Sequence, residues 1–460
     1  MSAPAVTDMA RRQLRLLAGL LIAVNVCLPI GQIIYAEAIG ENYAEFFWGE
    51  WNAIAWFSSV QLLIVGLIAY ANHQAIGRLN SPGTRRWIWL MFAAGFVFLS
   101  LDERFGFHEY LRDDVFRPNQ TFNLPFLRDG DVSMYGYLAV GLVLGYFLLA
   151  ELRQRTSALV LFGVGVAVAT ASIIVDTLAK DITREWIFSK FWTSAFEETA
   201  ETWAQMFFAF SFLVLLDWRL ARLDGLVEAA RNQVTRVAQA AVAVNLLLPL
   251  GMLVYAAYAD RTFWLFFSAE DGPTEWLSSV QCLVVAAVAW AIYLVNELLR
   301  RGGEAASAVR SWGWLAIGAG FFVLGLDERF DLHEELRDVV LRPIGFMTNT
   351  PNIVPGDVGL YLFYTAGLGL VAWMRTEFRS FPPALAVLGA AFALGLPVIV
   401  IDSLTDAAIK TWPFRTFWDY PFEELGELWA ELLCLIAFCI VLYGRLGELA
   451  GQLARRRDEA

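Results

Sequence analysis

The sequence predicts an all-α polytopic membrane protein of about 12 transmembrane helices, built as two parallel six-helix repeats related by a pseudo-twofold axis along the membrane normal. Three observations carry this reading. Hydrophobic residues make up 58% of the 460 positions, with 35 Phe, 18 Trp and a mean hydropathy of +0.53, well outside the composition of soluble chains. Apolar runs of about 20 residues, long enough to cross a hydrocarbon core of roughly 30 Å, recur along the chain. Finally, Leu101–Asp113 (LDERFGFHEYLRD) returns as Leu326–Asp338 (LDERFDLHEELRD), with nine of the last twelve positions identical.

Hydropathy places helices near 12–36, 51–72, 87–105, 133–152, 157–178 and 195–217. A second set falls near 237–259, 276–295, 312–330, 358–374, 382–404 and 421–443. The first run, preceded by Arg11, Arg12 and Arg15, has the look of a signal peptide. The duplication decides for a retained helix, because Val24–Tyr35 (VNVCLPIGQIIY) matches Val244–Tyr255 (VNLLLPLGMLVY) deep inside the chain. Further anchors keep the copies in register: Trp56–Gln61 with Trp276–Gln281, Asp176 with Asp402, and Phe196–Glu198 with Phe422–Glu424. Such internal similarity marks a duplicated architecture. Residues 1–217 are thus expected as the first repeat, 218–239 as a cytoplasmic amphipathic linker, and 240–460 as the second repeat with a basic tail at Arg455–Arg457.

Six spans per repeat give both copies the same orientation, one of the two arrangements known among duplicated transporters. Lys and Arg concentrate on the side that holds the N-terminus, the even-numbered connections and the C-terminus. By the positive-inside rule that side is cytoplasmic, so the chain is expected in the cytoplasmic (inner) membrane with both termini inside. Cys27, Cys282, Cys434 and Cys439 all lie in apolar runs without CxxC spacing, and are read as packing residues.

The chemistry-bearing residues gather at the opposite, outward ends of the helices. In the first repeat these are Asp102, Glu103, His108 and Glu109 after the third helix, Asp131 before the fourth, Asp176 ending the fifth, and Glu197, Glu198 and Glu201 opening the sixth. The second repeat offers Asp327, Glu328, His333, Glu334, Asp357, Asp402, Glu423, Glu424 and Glu427. Arg104 and Arg112, with Arg329 and Arg337, are the charge-balancing partners and too few to neutralise so many acids. Crowded carboxylates at a membrane boundary must pair, hold protons or bind a cation. Oxygen ligands with one imidazole suit a divalent metal, Ca, Mn, Fe or Zn. The competing reading is an interhelical salt-bridge network. If the third helix continues without a break, Asp102 and Glu109 share one face and Arg104, His108 and Arg112 a neighbouring one.

A second polar layer, Asn25, Gln61 and Gln205 with Asn245, Gln281 and Glu431, is expected near the bilayer midplane. Gln205 against Glu431 is the clear break in symmetry. Beyond this layer the cytoplasmic ends read as almost purely apolar, which gives a funnel open to the outside. The expected partners are the lipid bilayer and a small cation or a lipid-like substrate; nothing points to nucleic acid. No Walker loop, GxSxG or HExxH motif is present. Three functional readings remain open: a cation- or proton-coupled transporter, a membrane-embedded metal-dependent enzyme acting on a lipid or lipid-linked substrate, and a structural or sensory subunit.

Overall fold

The computed structural model describes residues 3–39, 53–79, 85–119, 133–177, 195–220, 222, 226–258, 272–301, 311–341, 343–344, 358–404, 412 and 418–459. Nearly all of these are helical and none forms a strand. Helices occupy each of the twelve stretches that hydropathy selects, and nine of them, among the described residues, are long and apolar enough to cross a membrane. The protein is therefore a helical membrane protein. The helices that end in Asp-Glu-Arg are not among the nine, since those charges fall inside the apolar stretch.

The chain divides into two compact units, Pro4–Asp224 and Gly225–Ala460. In the first, α1 is Ala3–Ile39, α2 Ala53–Leu79, α3 Arg86–Phe105, α4 Phe107–Tyr110, α5 Ser133–Leu152, α6 Thr156–Thr177 and α7 Glu197–Leu220. In the second, α8 is Leu226–Tyr258, α9 Pro273–Arg301, α10 Ser311–Phe330, α11 Leu332–Glu335, α12 Val358–Trp373, α13 Arg375–Arg379, α14 Pro382–Asp402 and α15 Glu423–Glu459. Of the stretch 218–239 expected as an amphipathic linker, residues 226–239 form the opening turns of α8.

Between helices in lipid no hydrophobic driving force operates, so close packing and polar contacts do the joining. In the first unit α2 and α3 are joined by reciprocal bonds, from Ser59 Oγ to the Ser100 carbonyl at 2.8 Å and from Ser100 Oγ to the Ser59 carbonyl at 2.7 Å. In the second, Ser279 Oγ donates to the Gly325 carbonyl at 2.6 Å, where a Cβ on Gly325 would come within 3.0 Å of the Ser279 carbonyl. The core of the first unit is aromatic: Trp89, Phe92, Phe96, Phe162 and Phe212 pack from α3, α6 and α7.

The expectation of purely apolar ends opposite the carboxylates is corrected. There the Arg219 Nη2 donates to Glu151 at 2.6 Å, its Nη1 bonds Asn72, and its guanidinium lies 4.7 Å from the Trp89 ring centroid. Arg445 pairs with Glu377 at 2.7 Å in the second unit. All four charged residues are buried. Each charge lies among other charged residues near a helix end, which reads as a solvated terminus; only packing brings the partners together.

Candidate functional site

The third helix does not continue. α3 ends at Gly106, whose φ of 58° is left-handed, and in the second unit Asp331 takes the same role with φ 46°. Glycine enters that region without a Cβ clash, and Asp is one of the few other residues found there. The face-sharing expected from an unbroken helix is therefore overturned: the break swings His108 back over α3. Asp102 then holds it twice, accepting from the His108 amide at 2.8 Å and bonding Nδ1 at 2.9 Å. Asp327 holds His333 in the same way, at 2.7 and 3.1 Å. Burial alone would lower the pKa of His108, but its hydrogen bond to Asp102 and the charges of Asp102, Glu109 and Glu103 outweigh it, raising it from 6.5 to about 9. His333 is likewise raised to about 9, against burial, by Asp327, Asp402 and Glu334.

Arg112 pairs locally, with Asp113 at 3.0 Å and Glu109 at 3.2 Å, and Arg337 does so with Asp338 at 2.9 Å and Glu334 at 2.7 Å. Arg104 and Arg329 are buried. Asp131 and Asp357 lie outside the described residues, and Asp176 stands at the end of α6.

A cavity of about 710 Å³ in the first unit gathers much of the rest. One part is lined by Asp102, Glu103, His108, Glu109, Arg112, Glu197, Glu198 and Glu201, and another by apolar residues of α3, α5, α6 and α7. Ser172 reaches Glu201 at 3.3 Å. In the second unit the charges of Glu328, Glu423, Glu424 and Asp402 all act on Glu427; Asp402 and Glu423 share a hydrogen bond, and Thr274 bonds Glu424. No group of three or more His, Cys, Asp or Glu side chains among the described residues is arranged to hold a metal ion.

The deeper polar layer forms a connected network. Asn25 Nδ2 donates to Gln61 Oε1 at 2.6 Å, and Gln61 Nε2 reaches Gln205 Oε1 at 3.3 Å. Gln205 Nε2 in turn donates to Ser58 Oγ at 2.6 Å, and Ser58 bonds Glu103. Pro29 lacks the amide that would satisfy the Asn25 carbonyl, and Trp203 Nε1 supplies a donor there at 3.1 Å. The second unit repeats the order with Asn245 to Gln281 at 2.6 Å and Gln281 to Glu431 at 3.3 Å. Ser278 Oγ then stands 2.8 Å from Glu431 Oε1 and 3.0 Å from Glu328 Oε2, and Cys282 Sγ is 2.9 Å from Glu431.

Sequence reasoning missed Ser58, Ser278 and Cys282 as members of the layer, and Tyr137, which hydrogen-bonds Asp102. A signal existed for the serines: in WFSSVQ and WLSSVQ each stands three residues before the Gln, on the same helix face. Cys282 is then a polar neighbour as well as a packing residue.

No curated protein and no solved structure is matched by this chain. Residues 14–216 and 234–442 match one family model, and the chain belongs to the family described as Domain of unknown function (DUF8692).

Proposed function

We propose that this protein is a proton- or cation-coupled transporter of the cytoplasmic membrane, made of two six-span repeats with their carboxylate ends outward and both chain termini inside. The observation that carries the reading is the placement of Ser278 between Glu328 and Glu431. A hydroxyl donates one hydrogen bond. If Ser278 donates to either carboxyl, the other must carry a proton and donate to Ser278 Oγ. Two bare carboxylates at 2.8 and 3.0 Å from one hydroxyl oxygen would leave a buried acceptor facing an acceptor. The first unit fills the same positions without a titratable proton, since the Gln205 amide donates to Ser58 and Ser58 serves Glu103. The second unit thus holds one exchangeable proton where the first holds a fixed amide. A buried, membrane-embedded carboxyl joined to a carboxylate cluster is the form proton pathways take.

The test is direct. In proteoliposomes with an entrapped pH-sensitive dye, a potassium diffusion potential should drive proton entry through the native protein and not through Glu431→Gln. Traces equal to protein-free vesicles, or equal in native and variant protein, would overturn the proposal.

A second reading, a metal-dependent enzyme acting on a lipid, draws on the Asp102–His108 pair, because metal-ligating histidines commonly have their other ring nitrogen held by a carboxylate. Metal analysis of purified protein decides it. A stoichiometric transition metal lost in His108→Ala and His333→Ala would favour the enzyme.

A further inference from the structure

We infer that the cavity of the first unit takes an amphiphilic cation, with an ammonium head at its carboxylate end and a hydrocarbon chain along Phe96, Phe162 and Phe208. The inference names a cargo for the transport reading above and rests on it for that role, but not for binding. Its volume of about 710 Å³ falls within the roughly 300–1,000 Å³ of small-ligand sites. The lining has two chemistries in one space. Six carboxylates face one arginine and one histidine at the polar end, so the wall is net negative even with His108 charged. An anionic head is disfavoured there. A bare inorganic cation leaves the apolar part without a role, and a neutral lipid leaves the carboxylates without one. A molecule carrying both features matches both ends.

The approach route supports the same class. Phe98, Val140 and Leu142 line the cavity yet are 45%, 60% and 49% exposed. The wall formed by α3 and α5 therefore reaches an apolar surface of the molecule, the side from which a membrane-dissolved ligand arrives. Exposed apolar residues on the helices of a membrane protein face lipid, so a cavity wall made of them borders the hydrocarbon phase.

The experiment is photolabelling of the full-length protein in phospholipid vesicles with a diazirine-tagged dodecylamine, followed by peptide mass spectrometry. Labels should concentrate at Phe96–Leu99 and Phe162–Ala169, and excess dodecyltrimethylammonium should remove them while dodecyl sulfate does not. Glu198→Gln with Glu201→Gln should raise the competing concentration needed by about tenfold. Ala169→Phe, which narrows the cavity without altering any charge, should abolish labelling. Labels spread evenly over exposed helix faces, equal competition by the sulfate, or no effect of either variant would overturn the inference. Glu431→Gln should label like native protein, because occupancy needs no proton movement. Intact labelling without proton flux would sink the transport reading alone, and intact flux without labelling would sink the cargo alone.

Discussion

Ser278 and Ser58 occupy matching places, and the residue they face sets their chemistry. Glu431→Gln recreates the arrangement of the first unit, so it should leave thermal stability in detergent within about 1 kcal/mol of the native protein while removing the exchangeable proton. Ser278→Ala should cost more, about 1–3 kcal/mol, because a buried acceptor on one side and a buried donor on the other lose their common partner. The reverse ordering would show that the serine is not the link. His108 offers a pH-dependent counterpart. Its folded pKa, about 9, lies above the ordinary 6.5, so the charged ring stabilises the fold fully below pH 6.5 and that contribution is lost as pH rises through about 9. An NMR titration should find His108 still charged at neutral pH, and Asp102→Asn should bring its midpoint down toward the ordinary value. At this scale the sequence was only partly legible: it marked Asp102, His108 and Glu431 as unusual, but a serine inside a repeated SSVQ string carries no sign of which carboxyls it will meet.

Among elements, the break after α3 and the ion pair at the far end of the unit are each open to a measurement. Gly106→Val should destabilise by roughly 1–2 kcal/mol, since a branched side chain is forced into a left-handed backbone, whereas Gly106→Asp should be milder because Asp331 holds that conformation already. Thermal unfolding of the two variants in detergent checks the order. Arg219→Met should cost about 3–5 kcal/mol by leaving Glu151 charged and buried, and adding Glu151→Leu should recover most of the loss. Full additivity of the two changes would mean the pair is not coupled. The helices themselves were readable, because apolar periodicity and length fix them locally. The left-handed turn was not: the same motif holds Gly106 in one copy and Asp331 in the other, and an identical spacing of acids continues equally well on a straight helix. The Arg219–Glu151 pair was hidden for a different reason, since its members lie 68 residues apart and only the fold joins them.

For the whole molecule, membrane residence follows from composition and is matched by nine helices, among the described residues, that are long and apolar enough to cross a membrane. The proposed orientation predicts that a reporter active only in the cytoplasm will work when fused after Arg457 or in the 302–310 connection, and that one active only outside will work in the 120–132 connection. A reporter pattern with the opposite sense would reverse the direction of the proposed pathway. The cavity was legible only at its carboxylate end: the sequence named those acids, but the apolar part is lined by residues of α3, α5, α6 and α7 that look like ordinary lipid-facing side chains.

The left-handed turn at Gly106 also links anchoring to titration. A single carboxylate, Asp102, fastens both the peptide amide and the ring of His108, 2.8 and 2.9 Å away. Loss of one ring proton turns the charge-assisted bond from the ring into a neutral one and leaves the amide bond unchanged. The anchoring of the segment from Phe107 onward and the charge of the cavity wall therefore draw on one and the same ring proton.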